Sequence, residues 1–223
     1  MNYLNIFDKA TLWIKYIHSL NAKYYKGNFL EIGAGIGSFT DGYKNKIKNI
    51  FLTEIEEENL NILRNKYKNN SNISVYHHDL LSGDKKFNTI VHYNVLEHIE
   101  KDKEEIENCL KRINQNGHLI ILVPAHNSLY SKLDKEVGHF RRYDKSFFKN
   151  LKFENASIVS LKYVDCLGYI LYYLNKLFFK NETFPTYFKI FVWDKLFTPM
   201  TILVDFLTRY KFGKNVLCVI KKN

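Results

Sequence analysis

The sequence predicts an α/β fold: one domain built around a sheet of mostly parallel strands. Three observations predict it. From residue 28 to residue 124, short apolar runs alternate with stretches of helical period. A strand-to-turn junction, "FLEIGAGIGSFT", opens the series. The runs are continuously apolar rather than alternating, as strands covered on both faces are.

Each element follows in order. The first run, "NFLEI", contains an acid, Glu31, and is followed by glycines at alternate positions, Gly33, Gly35 and Gly37, with Ala34 between the first two. Bare positions let the chain turn tightly out of a strand and let a ligand reach the main chain. A helix is expected from there to about Lys46, with free N–H groups near Ser38. "NIFLTEI" is the second strand, and its helix "EEENLNILRNKYKNN" carries Leu60, Leu63 and Tyr67 at helical spacing. "NISVYHHD" and "FNTIVHYNV" are the third and fourth strands. "KDKEEIENCLKRINQNG" is a helix with Ile106, Cys109, Leu110 and Ile113 on one face and Gly117 where a C-terminal cap would sit. "HLIILVP" is the fifth strand, stopped by Pro124; "ENASIVSLKYV" is the sixth and "NVLCVIKK" the last. Strands alternating with helices of this length indicate a parallel sheet. Residues 1–27 read as an N-terminal helical segment and 165–212 as an aromatic helical insertion, so 1–223 parses as a single domain.

Composition narrows the class. The 223 residues are 46% hydrophobic and 25% charged, an ordinary globular mixture. Three scattered cysteines, Cys109, Cys166 and Cys218, form no CxxC and no metal spacing, which fits a reducing, cytoplasmic compartment. The opening "MNYLNIFDKATLWIKYIHSL" lacks the basic start, apolar run and cleavage site of a signal peptide. No apolar run reaches the roughly 18 residues of a membrane span. The net charge of +10 is spread along the chain, and a solvated lysine coat explains it without nucleic acid.

Carboxylates close three successive strands. Glu31 precedes the glycine turn, Glu54 ends the second strand about 20 residues after Gly33, and Asp79 ends the third in "VYHHDLL". An acid at the second position accepts hydrogen bonds from ribose hydroxyls, and one at the third can receive an adenine amine. Taken singly, Glu54 also reads as a helix N-terminal charge and Asp79 as an Asx turn. A nicotinamide dinucleotide site would space its glycines G-x-G-x-x-G; here the third comes one residue early.

With these pieces, "LEIGAGIGSFT", "LTEIE", "HHDLL", "NVLEHIE", "NGHLIILVP" and "GHFRRYD", the chain resembles class I S-adenosylmethionine-dependent methyltransferases from about residue 28 to 165. It looks most like a bacterial subgroup with a GHxRRY motif and glycan or small-molecule acceptors. The resemblance implies a Rossmann-like, doubly wound, seven-stranded sheet with an antiparallel last strand, and S-adenosylmethionine as cofactor. It implies that Glu31 and the loop Gly33, Ala34, Gly35 and Gly37 hold the methionine end, and that Glu54 binds the ribose with Ile55 on the adenine. Asp79 and Leu80 would read the adenine edge, and Asn94 and Val95 would approach the methionine part. Where the family often has Asp at the start of the fourth strand, this chain has Asn88.

The activated methyl group needs an acceptor held in line, and an oxygen acceptor also needs a base. His126 and His139 lie in the loop after the fifth strand and are the candidate bases; each also reads as structural. Arg141 and Arg142 pair in "HFRRYD", one to tie the loop to an acid and the other, Arg142, to grip an anionic acceptor. Segment 126–143 then reads as a lid. His98 reads as a helix-start residue near the cofactor, and His77 and His78 as structural. The Asn/Asp-Pro-Pro-aromatic motif of many nucleic-acid amino methylases is absent at "YNVLEH". An RNA methyltransferase and a catalytically silent binding protein are the other readings. The aromatic segment, including Phe178, Phe179, Phe184 and Phe188 near Lys176, Lys180, Lys189 and Lys195, is a helical cap, a homodimer contact, or a surface for peripheral membrane contact and a lipid-linked acceptor.

Overall fold

The computed structural model describes residues 3–77, 84–178 and 186–223. Among the described residues seven strands form one sheet: β1 (Asn28–Ile32), β2 (Asn49–Glu54), β3 (Ile73–His77), β4 (Phe87–Tyr93), β5 (Ile113–Pro124), β6 (Ala156–Val164) and β7 (Asn215–Lys222). Their order is β3-β2-β1-β4-β5-β7-β6. β1 to β5 pair in parallel, and β7 runs antiparallel to both β5 and β6. This is the Rossmann-like, doubly wound sheet with its last strand reversed. The chain winds outward from β1 to β3 and returns to β4, so the β1/β4 junction is the switch point where such sheets open a crevice.

Helices α1 (Tyr3–Phe7), α2 (Thr11–Asn21), α3 (Glu57–Tyr67), α4 (Asp102–Arg112), α5 (Lys132–Glu136), α6 (Lys145–Lys149), α7 (Cys166–Phe178), α8 (Tyr187–Val192) and α9 (Thr198–Leu207) surround it. Successive strand residues serve opposite faces. Phe29, Leu52, Val91, Ile120 and Val219 pack with Ile17 of α2 and Leu63 of α3. Leu30, Ile90, Ile121 and Cys218 pack with Ile106 and Leu110 of α4. Each such buried side chain contributes about 1.5–3 kcal/mol.

Two expectations fail for local reasons. No α-helix follows the glycine turn; there is only one 3₁₀ turn at Thr40–Gly42. Ser38, Thr40, Asp41 and Gly42 are weak helix formers, and the side chains that would project from a helix are already engaged. Thr40 and Tyr43 donate to Glu31, and His18 fills the space where a Cβ on Gly42 would stand. Gly117 is not a helix cap either. The chain passes from Arg112 straight into β5, and Gly117 lies inside that strand beside the irregular pairing at Phe87/Thr89. A Cβ there would stand 2.7 Å from the Asn88 carbonyl oxygen.

The N-terminal helices are locked on by acids from the far end of the chain. Asp194, in the π-helical turn Trp193–Phe197 between α8 and α9, accepts from the main-chain N–H groups of Leu12 (3.2 Å) and Trp13 (2.8 Å). That caps α2, whose own N-cap residue, Ala10, has no side chain to do so. Asp205 accepts from the Tyr16 hydroxyl and from the N–H groups of Asp165 and Cys166.

Candidate active site

A cavity of about 280 Å³ opens at the switch point. One end is formed by Glu31, the Gly33–Ile36 loop and Asn94, the other by Glu97, Asp134, His139, Arg142 and Lys214; Leu4, Phe7 and Trp13 of the N-terminal segment form a wall.

At the first end Glu31 is buried, and both its hydrogen bonds, from the Thr40 and Tyr43 hydroxyls, go to Oε2. Burial pushes its carboxyl up to about 7, against the pull of those two donors. Neither of these bonds uses Oε1, and Glu31 lines the cavity, so Oε1 is the oxygen available to a cation there. The three glycines differ in what they do. All have positive φ (65°, 57° and 80°). A Cβ on Gly33 would stand 2.7 Å from Val95 Cγ2, and one on Gly37 would stand 2.5 Å from the Tyr67 hydroxyl. A Cβ on Gly35 would meet only Leu4, at 3.5 Å. Gly33 and Gly37 are therefore bare for packing, and Gly35 is the one facing open space. Glu54 fixes this loop: Oε2 accepts from Gly35 N–H at 2.7 Å, and Oε1 accepts from the N–H groups of Ile55 and Glu56. A carboxylate offers about four lone-pair sites, so capacity remains for a ligand hydroxyl.

The second end is a network around Asp134. A capping box with Ser131 starts α5 and sets Asp134 in place. Arg142 grips it through Nε (2.9 Å) and Nη2 (2.8 Å), and His139 donates from Nδ1 to Oδ1 at 2.8 Å. Burial raises the Asp134 carboxyl, but the hydrogen bonds from His139 and Arg142 outweigh it and hold the group well below the usual carboxylate range. Asp134 is thus an anion, so Nδ1 of His139 is the donor to it, and in the neutral imidazole Nε2 is the acceptor. Nε2 lies 3.9 Å from Oε1 of Glu97. Glu97 is 1% exposed, and burial, with Asp134 nearby, pushes its carboxyl up to about 8. Its Oε2 and Nη1 of Arg142 are buried without hydrogen-bond partners among the described residues. His98 is lowered to about 4 by burial and by His139, so it is neutral. Donor atoms of Glu97, His98 and His139 lie within 4.8 Å of one another, a set able to hold a divalent cation.

The cavity brings together Glu31, Gly33, Ala34, Gly35, Asn94, His139 and Arg142. Gly37, Glu54, Ile55, Val95 and His126 are outside its lining; Asp79 and Leu80 lie outside the described residues. Ile55 is 61% exposed beside Glu54, an open apolar platform. His126 is a correction to the expected pair of bases. Its Nε2 faces the Gly213 carbonyl at 3.0 Å, its Nδ1 lies 3.3 Å from Asp144, and its ring stacks on Tyr163. Both nitrogens are engaged away from the cavity. Both arginines tie the loop to an acid: Arg141 bonds Asp102 (2.6 Å) and the Glu100 carbonyl, and Arg142, which also lines the cavity, spends Nε and Nη2 on Asp134. Glu97, Lys214 and the N-terminal wall have no spacing or motif of their own in the sequence that marks them as cavity residues.

The family model described as a methyltransferase domain matches residues 8–157. The chain belongs to that methyltransferase family. Solved structures share the fold. N-methyltransferase NodS from Bradyrhizobium japonicum WM9, in complex with S-adenosyl-L-homocysteine, is 16% identical, with 94% of this chain and 84% of that chain covered and a TM-score of 0.59. An S-adenosylmethionine-dependent methyltransferase from Clostridium acetobutylicum is 15% identical, with 99% and 98% covered and a TM-score of 0.60. A complex of the Haloferax volcanii Trm112 methyltransferase activator with a methyltransferase gives 13% identity, 99% and 93% coverage and a TM-score of 0.66. No curated protein matches the chain.

Proposed function

We propose that the protein methylates a hydroxyl of a small-molecule or glycan acceptor, and that the two ends of the cavity divide the work. The observation that carries the reading is that one cavity is lined both by Glu31 with the Gly35 main chain and by an Asp134–His139 pair whose Nε2 is an acceptor. The cofactor, when bound, supplies a methyl group already activated on a sulfonium sulfur. Glu31 Oε1 would hold the α-ammonium of its methionine part and the Gly33–Gly35 main chain and Asn94 would flank it, while Val95 packs where a Cβ on Gly33 would stand. Glu54 takes the ribose hydroxyls with its remaining lone pairs, and Ile55, Asp79 and Leu80 enclose the adenine.

At the other end, Arg142 Nη1 supplies a donor that nothing in the described protein uses, suited to an oxygen of the acceptor. Asp134 orients His139, as the acid of a Ser-His-Asp triad orients its imidazole. His139 Nε2 would take the hydroxyl proton, leaving the acceptor oxygen free to receive the methyl group, whose former bond pair would stay on the sulfur. Apolar Leu4, Phe7 and Trp13 keep water from the reacting atoms.

The test is methyl transfer and S-adenosylhomocysteine affinity measured on the same variants. His139→Gln should lower turnover roughly 10²- to 10⁴-fold, and Asp134→Asn somewhat less, with the affinity kept. His126→Gln should leave turnover near wild type. Unchanged turnover in His139→Gln would remove the base assignment.

A further inference from the structure

The helical insertion between β6 and β7 is built inside out. Along the π turn and α9, the residues turned inward are polar: Asp194, Thr198, Thr201 and Asp205 are each at most 1% exposed. The residues turned outward are apolar: Leu196, Met200, Leu203, Phe206 and Leu207 are all more than half exposed. A surface helix of a globular protein does the reverse, with its apolar stripe on the core. The inward acids have work of their own, capping α2 and receiving the N–H groups at the start of α7, so the inversion is not a misplaced stripe. α7, packed beside α9, adds exposed Ile170, Leu171, Tyr173 and Leu174, and carries no charge from residue 166 to 174. α8 adds Phe188, 74% exposed, and Phe191. Monomers rarely leave so much apolar surface to water.

Charge says what covers it. From residue 186 to 212 both acids, Asp194 and Asp205, are buried, and every exposed charge is a cation: Lys189, Lys195, Arg209 and Lys211. Bulky apolar groups rimmed by lysine and arginine are what a helix lying in an anionic lipid interface needs. A second copy of the chain would bring two cationic rims, each on a protein of net charge +10, against one another. No helix among the described residues is long and apolar enough to cross a membrane, so such a face lies on a bilayer.

We propose that the α7–α9 face docks on an anionic bilayer and that the cavity takes an amphiphilic acceptor, its hydroxyl on a polar head and its apolar part in the lipid. The second half rests on the methyltransferase reading above; the first does not. The two are joined by α1, which packs against α8 and lines the cavity through Leu4 and Phe7. Phe7 is 40% exposed, so an apolar wall runs from the reacting end toward the docking face.

The full chain would be floated with vesicles of phosphatidylcholine alone and of phosphatidylcholine with phosphatidylglycerol, alongside calorimetry with S-adenosylhomocysteine. The wild type should float with the phosphatidylglycerol vesicles, less so in high salt. Leu203→Glu/Phe206→Glu should weaken flotation at least tenfold while its S-adenosylhomocysteine affinity, which reports an intact fold, stays at wild type. A wild type that floats with neither vesicle would overturn the docking face. So would a dimer by light scattering that the double variant splits, because the face would then belong to a second copy. Flotation without any S-adenosylhomocysteine binding would uphold the face and overturn the acceptor assignment.

Discussion

Glu31→Gln should move stability and cofactor affinity in opposite directions. Burial moves this carboxyl from an ordinary 4.5 to about 7. That displacement corresponds to a cost of at most about 3 kcal/mol for carrying the charge in the folded protein. Because the folded pKa is raised, the folded state binds the proton more tightly than the unfolded one. The cost is absent below pH 4.5, grows as pH rises through the interval, and is complete above 7. The Gln variant keeps an oxygen for the Thr40 and Tyr43 hydroxyls and carries no charge. Without cofactor it should match wild type near pH 4.5 and exceed it increasingly toward pH 8, by up to about 3 kcal/mol. Cofactor binding needs that same charge for the ammonium group. Losing one partner of a buried charge pair costs about 2–3 kcal/mol, so affinity at pH 8 should fall roughly 30- to 150-fold. Denaturant melts across pH and calorimetry with S-adenosylhomocysteine read the two effects separately. Wild-type affinity in Glu31→Gln would refute the assignment of the ammonium to this oxygen. A stability difference independent of pH would refute the burial argument.

Three further outcomes follow from the same contacts. Gly37→Ala combines positive φ with a Cβ 2.5 Å from the Tyr67 hydroxyl, so it should cost about 1–3 kcal/mol in a denaturant melt; Gly35→Ala, with more room, should cost less stability than Gly37→Ala. Zinc should inhibit methyl transfer by seating on Glu97, His98 and His139 and taking the His139 nitrogen from the acceptor, and a chelator should restore the rate; activity insensitive to zinc in His139-intact enzyme would contradict that nitrogen's role. Asp194→Ala removes the cap of α2 and should lower stability by about 0.5–2 kcal/mol, read as a lower melting temperature with little change in the sheet's circular dichroism signal.

The sheet was legible because each strand is a short, continuous apolar run with turn residues beside it, a pattern that depends on nearest neighbours along the chain. The helix expected after Gly37 was not, because what prevents it is distant in sequence: His18 needs the space at Gly42, and Glu31 draws in Thr40 and Tyr43. The candidate site divided the same way. The glycines and strand-end acids carry their meaning in spacing, so Glu31 and Gly35 could be read directly. His126 and His139 look alike in sequence, two histidines in one loop. What separates them is partners reached through the fold: Gly213 and Asp144 for the first, Asp134 and the cavity for the second. Glu97 could not be picked out, since its burial comes from packing that no local pattern encodes.

His126 matters in another way. The chain leaves the sheet at Val164 and re-enters it at Asn215, and those two residues are register partners. The Lys214 N–H donates to the Asp165 carbonyl, and Gly213, held by His126, lies so close to Val164 that a Cβ would stand 2.3 Å from its carbonyl oxygen. The insertion therefore hangs from a pinched neck, with both ends pinned at one point on the scaffold. A segment attached that way can change in length or chemistry without shifting the strands beneath it, as long as it still presents acids where Asp194 and Asp205 receive the main chain of α2 and α7.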